Sequence, residues 1–242
     1  MQKHLYADLY QLEDKHWWHK AKRENAISLL LRFLTKDSPK ILDMGCGAGK
    51  NVEELSKIGS TWGIDNSHLA IAYCRKRGLK TISLGNAELT NFSPNSFDVV
   101  TLLDVLEHTD DSKALKEIDR ILKPGGLLVI SVPAFPILWS QWDVVLHHKR
   151  RYTKKSLLQK LDRYSLDVLK ISYMFSFLFL PVYIVRLIKS KISSGNYKSD
   201  FQINAPIINY LLLIISRIEG YFIQNLSIPV GSSMLCIAKK KP

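Results

Sequence analysis

The sequence predicts an α/β fold, a mostly parallel sheet covered by helices on both faces. Three observations carry that prediction. Five strand-like apolar runs alternate with helix-length segments up to residue 132, the signature of βαβ units. The first run breaks at a cluster of three glycines, and the second ends in an acid. In an open sheet of this kind, ligands sit beyond the carboxyl ends of the strands, where the order of the strands reverses.

The elements follow in order. From Lys20 to Leu34, Ile27, Leu30, Leu31 and Leu34 recur at the spacing of one helix face, and Pro39 lies just beyond. Lys40 to Met44 reads as a strand and leads into glycines 45, 47 and 49, then into a helix with Val52, Leu55 and Ile58 on one side. The unit recurs in Thr61–Ile64 with 67–77, in a strand near 80–84, and in Phe97–Leu103 with 111–122. A Pro-Gly-Gly turn at 124–126 precedes the strand Leu127–Val132. Past it come an aromatic and basic stretch, 133–152, a helix at 154–161 and a strand over Leu166–Tyr173. Apolar helical stretches near 178–192 and 205–222 lead to a last strand, Ser232–Ala238, and a basic tail. No Gly/Ser/Pro linker divides the chain. One domain is expected: a helical cap (1–38), a ligand-binding core (39–132), a substrate-side insertion with helices (133–222), and a final strand with its tail (223–242).

The 242 residues are 46% hydrophobic and 23% charged, a globular composition that excludes collagen-like, disulfide-framework and disordered classes. Cysteines 46, 74 and 236 form no Cys-x-x-Cys pair, so neither a zinc site nor a redox motif is expected. The formal charge of +12 suggests an anionic partner, nucleic acid, phosphate or a membrane surface. Its placement is uneven: residues 1–120 are nearly balanced, whereas Lys149 to Lys198 holds twelve Lys/Arg against Asp162 and Asp167. Met1 to Lys22 has no apolar signal core. The longest uncharged apolar run, Ile171 to Val185, is 15 residues with Pro181 inside, short of the roughly 20 needed to cross a bilayer. A cytoplasmic location is expected, with a peripheral seat on the inner membrane face as an extension of it.

The glycine turn decides between ligands. Gly45, Gly47 and Gly49 permit a tight turn and close approach of a ligand to the backbone. The phosphate-loop pattern is absent, and the dinucleotide spacing Gly-x-Gly-x-x-Gly is replaced by Gly-x-Gly-x-Gly with Asp43 two residues ahead. A carboxylate there repels a phosphate and suits a cationic amino-acid moiety. Twenty-two residues on, Asp65 ends the second strand, placed to accept from two ribose hydroxyls, while Asn66 or Ser67 could cap the next helix.

These residues resemble the class I S-adenosylmethionine-dependent methyltransferases. The motifs are Asp43-Met44-Gly45-Cys46-Gly47-Ala48-Gly49, Gly63-Ile64-Asp65, Gly85-Asn86-Ala87-Glu88, Phe97-Asp98-Val99-Val100 and Lys123-Pro124-Gly125-Gly126, five in order over residues 40–132. The resemblance implies a Rossmann-like sheet of seven strands with the last antiparallel, an insertion after the fifth strand, and S-adenosyl-L-methionine as cofactor, released as S-adenosyl-L-homocysteine. It assigns cofactor contacts to Asp43, Gly45, Cys46, Gly47, Asp65, Asn66, Asn86, Ala87 and Asp104. Asn86 stands where the family usually has Asp, and can accept from the adenine amino group through its amide oxygen.

Methyl transfer from a sulfonium is an in-line displacement, needing a base only where the nucleophile carries a proton. Asp104-Val105-Leu106-Glu107-His108 resembles the Asp-x-x-Glu-His of small-molecule and lipid members; His108 is either a proton acceptor or a packing residue. Trp139 to Thr153 concentrates His147, His148, Arg150, Arg151, Trp142 and Tyr152, with Thr153 placed to cap the next helix. Together with His16-Trp17-Trp18, this pattern resembles a subgroup associated with surface-polysaccharide or lipid-linked sugar pathways. His108 and His148 are the catalytic candidates. Trp18, Trp142, Arg151 and Tyr152 are the substrate-binding candidates, with pinning of the insertion to the core as the other role open to Arg151 and Tyr152. No third ligand at suitable spacing accompanies His147 and His148, so no metal is expected. The helices at 178–192, with Arg186, Lys189 and Lys191, and at 205–222 either pack in the core or lie at a lipid interface.

The expected function is methylation, at oxygen, of a small or lipid-linked anionic acceptor. A nucleic-acid methyltransferase and a non-catalytic S-adenosylmethionine-binding protein are the alternatives. The fourth strand ends in Leu102-Leu103-Asp104 with no Asn-Pro-Pro-Tyr-like segment, which disfavours nucleic acid.

Overall fold

The computed structural model describes residues 3–191 and 205–242. Ile192, the end of one expected helix, and Lys198, the end of the basic stretch, lie outside them. Seven strands form one sheet: β1 (Lys40–Met44), β2 (Ser60–Asp65), β3 (Ile82–Leu84), β4 (Phe97–Leu103), β5 (Leu122–Pro133), β6 (Leu166–Met174) and β7 (Ser233–Lys240). Their order is β3-β2-β1-β4-β5-β7-β6. The first five pair in parallel, and β7 runs antiparallel between β5 and β6. The chain moves outward from β1 through β2 to β3, then returns to place β4 on the other side of β1. The reversal makes the carboxyl ends of β1 and β4 the switch point, and Asp43 and Asp104 stand there.

Alternation along the strands divides the core. Leu42, Val100, Leu102, Leu128 and Ile130 face one cluster, closed by α5 (Asp111–Ile121) and α7 (Lys154–Leu161). Ile41, Val99, Leu103, Leu127 and Val129 face the other, closed by α2 (Trp17–Phe33) and α9 (Pro206–Asn225). Between β1 and β2 runs α3 (Lys50–Leu55), and between β2 and β3 runs α4 (His68–Lys76). The insertion holds α6 (Gln141–Val145), and α8 (Ser176–Lys191) follows β6. Side chains set the helix starts: Asp110 accepts from the backbone of Ser112 and Lys113, and Ser140 and Thr153 each form a capping box.

Four expectations need correction. A helix not foreseen, α1 (Lys3–Lys15), precedes α2. The buried face of α2 runs through Ala26, Leu29 and Leu30, while Leu31 is exposed, because the helix packs beneath α9 as well as on the sheet. Pro124-Gly125-Gly126 does not precede β5 but lies inside it, where a register shift against β4 absorbs the positive φ of Gly125. Finally, α9 holds 20 residues at mean hydropathy 1.4, long and apolar enough to cross a membrane. Its Leu213, Ser216, Glu219 and Ile223 face is nevertheless buried in the protein.

Candidate active site

The glycine turn is anchored to β2. Gly45 and Cys46 donate to the Ile64 carbonyl, and Gly47 donates to Asp65 Oδ2 at 3.0 Å. Gly45 and Gly47 have φ of 75° and 55°. A Cβ on Gly45 would meet Val105 at 2.4 Å, and one on Gly47 would meet Leu9 and Glu13 of α1 at 3.2 Å. Cys46 sends its thiol inward, 3.9 Å from that of Cys74, so its backbone is what it offers a ligand. Asp65 also accepts from Ser67 N–H, while Asn66 is exposed beside it. Asn86 turns its amide oxygen to Glu88 N–H at 2.9 Å, so any adenine contact shares that oxygen or uses the NH2 group. Ala87 packs against the core under the same turn.

Three carboxylates converge on this turn. Asp43 takes the Thr101 hydroxyl on Oδ1 at 2.6 Å, but its buried Oδ2 has no hydrogen-bond partner. Burial, with Glu13 and Asp65 nearby, pushes the Asp43 carboxyl up to about 7. Burial likewise raises Glu13, which accepts from Lys50 N–H, to about 7, and it raises Asp65. Buried anions held close together call for a cation. The orphaned Asp43 oxygen, the open glycine turn and the acid at the tip of β2 fit S-adenosylmethionine, whose amino acid and sulfonium are cationic and whose ribose offers two hydroxyls. Across the outer side lies α1, held by Arg77, which donates to the Tyr10 carbonyl and pairs with Asp14 at 2.9 Å.

Asp104 follows β4 at φ 58°, a strained conformation for a non-glycine residue. Its oxygens accept from Ser131 at 2.7 Å and from Lys22 at 2.5 Å. Burial opposes its charge, but the Lys22 ammonium outweighs that and holds the carboxyl below its usual range. The Lys22 ammonium also stands 4.1 Å over the Trp18 ring. Trp18 is thus part of an aromatic wall with Phe175.

The acceptor side is organised by Asp143, fully buried on α6. It accepts from His148 Nδ1 at 2.8 Å, from Arg151 Nε and Nη2 at 2.8 and 3.0 Å, and from Ser140 N–H at 2.8 Å. Burial opposes its ionisation, yet His148 and Arg151 hold it at about 2. An ionised carboxylate only accepts, so Nδ1 of His148 donates to Asp143 and Nε2 is the ring nitrogen turned toward Glu107. That Nε2 lies 4.0 Å from Glu107 Oε1, and the ring stands 4.7 Å from the His108 ring. Burial, with His148 beside it, lowers His108 to about 4, which leaves it neutral and a weak base. Glu107 has both oxygens buried and without hydrogen bonds; burial, then the Asp104 charge, raises it well above the usual range. Glu107, His108 and His148 bring three possible metal-ligand atoms within 4.8 Å of one another, a set that does not include His147. A cation there would require Glu107 to ionise against both burial and Asp104.

The structure brings His108 and His148 together near Asp104, and leaves His147 exposed. Of the two roles open to Arg151 and Tyr152, the geometry supports pinning. Arg151 is occupied by Asp143 and the Ala134 carbonyl; Tyr152 is buried with its hydroxyl on Asp111, where Arg150 and Lys160 also pair. Trp142 lies half-buried next to Asp143. Sequence reasoning missed Asp143, although it is the one acid between Pro133 and Tyr152, and it missed Lys22 and Glu13, whose partners are distant in the chain.

Residues 42–130 match the methyltransferase domain family. The chain is 29% identical over 139 residues to an uncharacterized protein of Methanocaldococcus jannaschii, covering 57% of this chain and 54% of that one. It is 32% identical over 138 residues to the mitochondrial ubiquinone biosynthesis O-methyltransferase of Schizosaccharomyces pombe, covering 48% and 50%. The chain thus spans about half the length of these curated relatives. Two solved structures share its fold. A SAM-dependent methyltransferase from Archaeoglobus fulgidus has a TM-score of 0.58 at 20% identity, covering 90% of this chain and 94% of that one. Haemonchus contortus phosphoethanolamine N-methyltransferase 2, in complex with S-adenosyl-L-methionine, has a TM-score of 0.59 at 20% identity, covering 90% and 53%. Residues 42–130, which hold the glycine turn and Asp65, match a methyltransferase domain, and the whole sheet, with its last strand antiparallel, has the fold of these solved methyltransferases.

Proposed function

We propose that the chain is an S-adenosylmethionine-dependent methyltransferase that methylates a hydroxyl of a small or lipid-linked anionic acceptor, with His148 as the general base. The observation that carries this reading is the Asp143–His148 pair beside Asp104 at the switch point. Asp65 suits the ribose, Asp43 the cationic amino-acid end, and Asp104 the cofactor's side of the reaction centre. The bound cofactor supplies an electrophilic methyl group. His148 Nε2 takes the acceptor's hydroxyl proton, and Asp143, locked by Arg151 and Ser140, holds the imidazole in the right tautomer and stabilises the imidazolium that forms. Lys22, by fixing Asp104, keeps a charged carboxylate at the strand end. The two insertion arginines are committed to Asp143 and Asp111, so the anionic character of the acceptor is supported by the surplus of lysine around the insertion.

The test uses labelled methyl donor, host extract and the full chain. Label is expected in the lipid or small-molecule fraction, and His148→Ala is expected to lower transfer by roughly 10²–10⁴-fold while S-adenosylhomocysteine still raises Tm. Label in nucleic acid, or cofactor binding with no transfer to any fraction, overturns the acceptor assignment or the enzyme reading respectively.

A further inference from the structure

We infer that the outer face of α8 and α9 is a docking surface for an anionic lipid bilayer. Helix α9 is apolar on two sides. Leu213, Ile223 and Gly220 face the protein, whereas Ile207, Leu211, Ile215, Ile218 and Phe222 form a stripe at the i, i+4, i+8, i+11, i+15 spacing that points to solvent. Ile207, Leu211 and Ile218 are 69%, 51% and 57% exposed, and on α8 Leu180, Ile184 and Ile188 are exposed as well. An exposed apolar stripe of this kind marks an interaction site. Beside it opens a groove of about 420 Å³ lined by Phe177, Ile215, Ile218, Phe222, Leu226 and Pro229, of a form that admits a hydrocarbon chain.

Charge decides what covers this face. The α8 sequence contains Arg186, Lys189 and Lys191 and no acid. On α9 the one acid, Glu219, is buried, accepting from the backbone of Phe175 and Ser176, and Arg217 pairs with Glu24. An exposed apolar stripe on a helix this apolar, in a chain of net charge +12, complements acyl chains beneath anionic headgroups. Two copies of a chain bearing +12 would instead bring cations against cations. Burial of the Leu213–Ile223 side in the protein sets α9 along the bilayer surface and not across it.

The face connects to the reaction centre. Phe177 in the groove wall lies 6.1 Å from Trp17, Phe175 meets both Trp17 and Trp18, and Trp18 carries the Lys22 ammonium that binds Asp104. A lipid held there lies at one end of a continuous aromatic row whose other end is the methyltransferase site.

The test is co-sedimentation of the full chain with vesicles of phosphatidylcholine alone or mixed with phosphatidylglycerol. Wild type is expected to bind the mixed vesicles and to bind phosphatidylcholine alone more weakly. The triple variant Ile215→Ser, Ile218→Ser, Phe222→Ser, all at exposed positions, is expected to lose affinity by at least about tenfold, with Tm and the S-adenosylhomocysteine-induced Tm shift unchanged. Failure of wild type to bind either vesicle overturns the proposal, as does equal binding by the triple variant. A wild-type dimer in sedimentation velocity that the triple variant splits also overturns it, in favour of self-association. None of these readouts involves methyl transfer, so this inference and the proposed activity fail separately.

Discussion

At the scale of single residues, the site sets a cluster of buried carboxyls at the glycine turn against an imidazole braced by one carboxylate. Asp43 and Glu13 both stand near 7, against ordinary values of 3.8 and 4.5, because burial disfavours their charge. Between those limits the folded protein holds protons that the unfolded chain has released, so this pair makes the free protein lose stability as pH rises from about 4 to about 7. A cationic ligand favours the ionised forms and expels those protons. The rise in Tm caused by S-adenosylmethionine is therefore expected to be larger at pH 8 than at pH 5.5, and Asp43→Asn is expected to flatten that difference. Equal shifts at both pH values in wild type would show that these carboxyls do not face the ligand's charge. The site was partly legible at this scale. Gly45, Gly47 and Asp65 lie close together in sequence within one βαβ unit, and their chemistry follows from local spacing. The grip of Asp143 on His148 and Arg151 depends on a short helix that turns these three inward, which composition does not reveal.

At the scale of elements, strands and helices with a clean period were legible nearly to the residue, as β4 at Phe97–Leu103 and α7 at Lys154–Leu161 show. Helix α1 was not, although Leu5, Leu9 and Leu12 recur at helical spacing, because they stand among charged and polar residues; what holds it is Arg77, far along the chain, and the stacking of Tyr10 on Tyr73. The approach of α9 to α2 is equally invisible in the sequence and rests on one glycine. A Cβ at Gly220 would lie 2.0 Å from Asn25 Oδ1. Gly220→Ala is expected to displace the buried Asn25 amide from between the two helices and cost roughly 1–3 kcal/mol. At about 2–4 °C of Tm per kcal/mol for a chain of this size, calorimetry reads the change directly. An unchanged Tm would mean that α9 does not pack this closely.

At the scale of the whole molecule, the two functions proposed for this chain rest on different electrostatics. The cofactor's partners are buried and mostly shielded from solvent, with residues 1–120 nearly balanced in charge; the basic excess follows them, around the insertion and α8. Mobile ions screen exposed charges beyond a Debye length of about 8–10 Å near physiological ionic strength, and screen buried ones much less. Raising salt therefore separates the two activities. Between about 50 and 500 mM NaCl the Kd for S-adenosylhomocysteine is expected to change by less than about twofold, whereas binding to phosphatidylglycerol-containing vesicles falls by about tenfold or more. Apolar contact from the α9 stripe resists salt, so a residual affinity is expected that the Ile215, Ile218 and Phe222 substitutions remove. If cofactor and vesicle binding weakened together, the charge of this protein would belong to one shared site, and the division into a neutral cofactor half and a cationic acceptor half would be wrong.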